Sequence, residues 1–275
     1  MPTTYTHYRF GEEVRRLVNE KAAHAIDAFP GLYHIGLHGP DLLFYYNALG
    51  KNAINQQGVR LHSLPGSYFF QNAAEVIRNH PGDEAYLAYV YGFLCHFALD
   101  VGCHGYIGEQ IAVTGITHSE IEAELDRELM AMDGLNPIRH RVTGHLKATE
   151  ENAAVIKDFF RDVDTKQMKK CIRDMITILN FLVAPSKGKR RFICSMLKLA
   201  GHPELGKLII NYVKNPECIA CTNHLLELYE QSKTVAAGLI DHFDELVAGT
   251  GEADPIYHYN FNTILKEEGG SPSEI

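Results

Sequence analysis

Tryptophan is absent from the 275 residues, and six cysteines are too few for a disulfide scaffold of this length. Free thiols in a reducing compartment are expected. No uninterrupted apolar stretch approaches the roughly 20 residues that span a bilayer, so no transmembrane segment is expected. The first residues, MPTTYTHYRFGEEV, lack the charged-then-apolar layout of a signal peptide, and a cytoplasmic location is expected. Basic residues are outnumbered, giving a net charge of −8. The average surface therefore repels phosphate backbones and anionic headgroups, and no stable nucleic-acid complex is expected. A 45% hydrophobic share excludes general disorder and allows a sizeable core.

Several catalytic signatures are also missing. There is no GxSxG, no GxxxxGK(S/T) and no GxGxxG, so α/β-hydrolase, P-loop and Rossmann readings lack their motifs. An HD-type phosphohydrolase would need an adjacent His-Asp pair, whereas Asp241-His242 has the reverse order. Cys218 and Cys221 form a single CxxC with only His224 nearby, short of a structural zinc site, and are read as buried helix-face thiols.

What is present is helical. Apolar residues recur at helical spacing over 10 to 29, with Pro30-Gly31 as the stop. A short helix is entered through Pro40, and longer ones are expected over 67 to 79, over 83 to 102, and from Thr117 or His118. Further helices are expected near 149 to 162, 165 to 184, 189 to 200, 203 to 214 and 217 to 248, with a loose tail over 249 to 275. No strand alternation, repeat or linker interrupts the pattern. A single all-α domain over 1 to 275 is expected, with KGKRR at 187 to 191 read as a solvated loop between helices.

Histidine is unevenly placed: of 15, nine lie at 7, 24, 34, 38, 62, 80, 96, 104 and 118. In YGFLCHFALDVGCHGYI, His96, Asp100 and His104 stand at i, i+4 and i+8, along one stripe of a helix. After thirteen residues His118 and Glu122 repeat the i, i+4 spacing, giving H-x3-D-x3-H-x13-H-x3-E. Imidazole and carboxylate are ligands for a borderline ion such as zinc, and facing helices that each supply an i, i+4 pair can build a multinuclear site. Taken singly, each histidine reads as a core residue and Glu122 as part of a solvated face. Asp100, however, lies in a strongly apolar helix, where an unpaired buried carboxylate costs several kcal/mol. A cation or a proton must compensate it.

With these residues the chain resembles the zinc-dependent phospholipase C family, more distantly the P1-type zinc nucleases. The resemblance also rests on Gly39-Pro40-Asp41, on LHSLPGSYFF with His62 and on THYRFG with His7, and covers roughly residues 1 to 130. It implies an all-α catalytic domain that hydrolyses phosphodiesters with zinc, as two or three ions. Carried over, it implies that Asp41, His62, His96 and Asp100 surround one ion, that His104, His118 and Glu122 hold another, and that Asp100 bridges to a third also bound by His7. Secreted members complete the third ion with an N-terminal tryptophan, which this chain lacks. His34 and His38, in YHIGLHGPD, are candidate substitutes. Asp41 would also orient or deprotonate the attacking water.

The substrate stays open at this level. Phospholipid, nucleotide and other small phosphodiesters all suit such a cluster, as does a non-catalytic metal-binding domain. Tyr45, Tyr46, Tyr68, Phe69, Phe70 and Tyr106 could stack on a base or pack against choline, and at helical spacing they also read as core.

Overall fold

A computed structural model describes residues 4–251 and 253–263, without the side chain of residue 204. Eleven α-helices occur among the described residues. They are α1 (Thr4–Val14), α2 (Glu20–Ala28), α3 (Pro30–Gly36), α4 (Ala53–Ser63), α5 (Gly66–Asn79), α6 (Glu84–Thr114), α7 (His118–Met132), α8 (Glu150–Ile156), α9 (Thr165–Leu182), α10 (Lys187–Leu199) and α11 (Ile219–Ala248). A tight 3-10 helix over Gly39–Tyr45 links α3 to α4. No strand occurs among the described residues, so the all-α expectation holds; a β-bridge pairs Pro65 with Asn260.

The single first helix expected over 10 to 29 is two. The chain leaves α1 after Val14, and the Asn19 side chain accepts from the Ala22 amide to begin α2 afresh. Pro30 opens α3 where it was expected only to stop a helix, because its missing N–H costs nothing in a first turn. The helix expected over 83 to 102 runs on to Thr114 and ends at Gly115, whose φ of 70° forms a left-handed cap. The stretch expected as a helix over 203 to 214 contains only a 3-10 helix, Pro203–Leu208, and the one near 149 to 162 shortens to α8 followed by a 3-10 turn at Lys157–Phe159.

Helix α6 is the axis of the fold, packing against α1, α2, α3, α5, α7, α8 and α11. By length and apolar composition it is the one described helix that could cross a membrane, but most of that stretch is buried in the protein, and neighbouring helices account for its apolarity. Its contact with α3 is backbone on backbone. A Cβ on Gly92 would sit 2.1 Å from the Tyr33 carbonyl oxygen, and one on Gly36 would sit 2.2 Å from that of Tyr89. This close crossing brings the 3-10 helix that follows α3 down beside His96.

The expected loose tail behaves differently over its described part. Tyr257, Asn260 and Phe261 are buried, and Phe261 meets Phe97 edge-on at 5.0 Å. The rest, 264–275, lies outside the described residues. Phe69, Phe70 and Tyr45 are core residues, with Phe69 stacked on Phe93 at 3.7 Å. Tyr46 lies beneath Lys170, Tyr106 meets His224 edge-on, and Tyr68 is exposed. Cys218 and Cys221 are buried free thiols.

Candidate metal centre

Five elements converge on one buried group of imidazoles and carboxylates. Helix α6 supplies His96, Asp100 and His104 one turn apart; α1 supplies His7, the 3-10 helix Asp41, α4 His62, and α7 His118 and Glu122. The Asp100 carboxylate is gathered among three Nε2 atoms, those of His7 at 3.3 Å, His96 at 3.2 Å and His104 at 3.7 Å. His104 Nε2 also reaches Glu122 Oε1 at 3.5 Å, and His118 Nε2 reaches the same oxygen at 3.0 Å. His62 Nε2 lies 2.9 Å from Asp41 Oδ1.

Three sets bring their donor atoms within 4.8 Å of one another: His7, His96 and Asp100; Asp41, His62 and His96; and His104, His118 and Glu122. All eight residues singled out from the sequence are therefore here, with one change of grouping. Asp100, expected both with Asp41 and His62 and as a bridge to an ion shared with His7, stands with His7 and His96 and not in the set of Asp41 and His62. His34 and His38 face elsewhere. His34 Nε2 engages Glu12 at 2.9 Å, and His38 Nε2 shares a 2.8 Å hydrogen bond with His145 Nε2. His145, which no sequence pattern marked, stacks on Tyr8 at 4.2 Å.

The backbone fixes how two of these rings present themselves. His62 donates from Nδ1 to the Gly58 carbonyl at 2.8 Å, and His104 donates from Nδ1 to the Phe261 carbonyl at 2.6 Å. When neutral, each ring then carries its lone pair on Nε2, the nitrogen that faces the carboxylates. The room for His96 comes from Gly39: its φ of 47° suits glycine, and a Cβ there would come within 2.2 Å of the His96 ring.

The electrostatics of the group suit a cation. The Nδ1 atoms of His96 and His7 are buried without a hydrogen-bond partner, and His96 Nε2, though 3.2 Å from Asp100 Oδ2, is not aligned for one, a costly arrangement. Burial would raise the Asp100 carboxyl, but the charges of His104 and His96 hold it well below the usual range. Glu122 is likewise held low against its burial, with His118 and His104 beside it. Burial opposes charge on His104, yet Asp100 and Glu122 raise it to about 9. Burial and the nearby His96 push His7 down. Protons on the imidazoles thus balance buried carboxylates, and a divalent ion would meet the same need. The donor set of imidazole and carboxylate fits zinc.

Residues 6–183, more than half of the sequence, match the family model of zinc-dependent phospholipase C. The chain belongs to the zinc-dependent phospholipase C family. No curated protein and no solved structure matches it. All eight candidate residues of this family member fall inside the matched region. The Phe261 carbonyl behind His104 falls outside it. So does Thr263, whose hydroxyl accepts from the Gly105 amide and donates to the Val101 carbonyl. Sequence reasoning missed this clasp, since a carbonyl carries no residue signature.

Proposed function

We propose that the chain hydrolyses a phosphodiester of the phospholipid-headgroup type with zinc held by His7, Asp41, His62, His96, Asp100, His104, His118 and Glu122. The observation that carries this reading is the Asp100 carboxylate set among three imidazoles and joined through His104 to Glu122 and His118. A buried chain of this kind has no use as a packing element, because its orphaned nitrogens and balanced charges cost stability unless a ligand is taken up.

Bound zinc would supply Lewis acidity, easing deprotonation of water near neutral pH and offsetting the charge that develops on phosphorus. The chain's own residues set the access to the group. The Asp41 side chain is 11% exposed and that of His62 15%, whereas that of His118 is 39% exposed, so the group opens to solvent past His118. Burial would raise the Asp41 carboxyl, but the positive charge around it, with His62 and His96 part of it, keeps it below the usual carboxylate range. A carboxylate held that low accepts a hydrogen bond well and a proton poorly, so Asp41 orients the attacking water more than it deprotonates it. The water oxygen bonds to phosphorus as the ester oxygen leaves and takes up a proton.

The test is product analysis with the zinc-loaded protein on phosphatidylcholine and on a dinucleotide. Release of diacylglycerol and phosphocholine, with slower dinucleotide cleavage, supports the reading. Preferential cleavage of the dinucleotide would transfer it to nucleic-acid phosphodiesters, and hydrolysis of neither would overturn it.

A further inference from the structure

KGKRR, expected as a solvated loop, is the first part of α10, which begins where the Ser186 side chain accepts from the Lys189 amide. This helix lies just beyond the region matched by the family. Its inner side is thin: Ile193 is its one buried residue, resting with Leu182, Ala184 and Ile209 in a small cluster apart from the main core. Its outer side is unusual. Phe192 is 59% exposed, Met196 44% and Leu199 91%, and their i, i+4, i+7 spacing puts them on one face. Lys187, Arg191 and Lys198, all exposed, run along one border of that stripe. The helix holds five basic residues and no acidic one, in a chain whose net charge is −8.

We propose that α10 is a docking surface for an anionic lipid bilayer, with Phe192, Met196 and Leu199 entering the interface and Lys187, Arg191 and Lys198 meeting the headgroups. A basic flank beside an exposed apolar stripe is the pattern of a helix lying in a membrane interface. Charge selects this occupant over two others. A second copy related by a two-fold axis would bring one five-fold basic helix against another. A nucleic acid would satisfy the lysines and arginines and leave the apolar stripe in water. The segment leaving α10 braces the elements around the candidate metal centre: His202 hydrogen-bonds the Leu49 carbonyl at 3.2 Å, and Lys207 pairs at 3.5 Å with Glu120, two residues beyond His118. Docking is independent of hydrolysis, so the same binding is expected with and without a chelator.

The missing tryptophan makes the test direct. Phe192→Trp introduces a single indole, whose emission should shift to the blue on adding vesicles of phosphatidylcholine with about one-quarter phosphatidylserine, and should not shift with phosphatidylcholine alone. Leu17→Trp, on the exposed link between α1 and α2, should show no shift. In vesicle flotation the paired substitution Lys187→Glu with Arg191→Glu should weaken binding by about tenfold or more, and rising salt should do the same to the unaltered chain. These side chains are exposed, so unchanged thermal melting is the folding control. No blue shift, equal binding to neutral vesicles, or loss of a dimer on Phe192→Ser would overturn the proposal, as would retention by RNA in place of vesicles.

Discussion

His104 donates from Nδ1 to the carbonyl of Phe261 at 2.6 Å, across 157 positions of the chain. The contact ties the end of the described chain to the middle of the candidate metal centre. Phe261 is 1% exposed, so Phe261→Ala should cost about 3–5 kcal/mol and weaken zinc binding about 10- to 100-fold. Thr263→Val separates the two effects. It spares the aromatic core but breaks the bonds to Gly105 and Val101, and should lower zinc affinity by about tenfold with little change in melting. Zinc titration against a competing chelator checks both, and unaltered affinity in both variants would remove the clasp from the account.

Gly92 and Gly36 make the crossing of α6 over α3. In an exposed helix Gly→Ala stabilises by about 1 kcal/mol. Here the sign should invert, because a methyl on Gly92 meets the Tyr33 carbonyl oxygen at 2.1 Å and neither helix can give way without moving its backbone. Gly92→Ala should destabilise by about 1–3 kcal/mol in urea unfolding.

The legible part of the site was that carried by helical period. His96, Asp100 and His104, and then His118 and Glu122, announce themselves because i, i+4 spacing on a helix is geometry written into the sequence. His7, Asp41 and His62 come from separate elements, and only the family resemblance joined them to the rest. The same resemblance placed Asp100 beside His7, as found, but its absence from the set of Asp41 and His62 was not readable. Nor was the clasp at Phe261, where the acting group is a backbone carbonyl. Among the elements, Pro30 and KGKRR misled for one reason: a proline and a basic run each suit a first helical turn as well as a loop, and packing decides between them.

Asp126, itself no candidate zinc ligand, gives a pH signature. It accepts from the Thr6 amide at 2.8 Å, the Thr6 hydroxyl at 2.6 Å and the Tyr5 amide at 3.3 Å, anchoring the start of α1 and hence His7. Burial, reinforced by the charge of Glu122, outweighs those donors and raises its carboxyl to about 7, above the ordinary 3.8. Between these values the folded chain binds more protons than the unfolded one. This group's contribution to stability is therefore full below 3.8 and is lost as pH rises through about 7. Unfolding of the metal-stripped protein, measured across that range, should show this decline, and Asp126→Asn should flatten it. An unchanged slope in the variant would place the titration elsewhere.

The most direct test of the account is zinc content by elemental analysis, paired on the same samples with hydrolysis of bis-p-nitrophenyl phosphate. A neutral imidazole offers one lone pair, so His96 cannot complete both of its sets at once. The account predicts two or more zinc ions per chain, fewer in both His96→Ala and Glu122→Ala, and turnover lost in each. Absence of zinc after reconstitution, or full turnover in either variant, would contradict it.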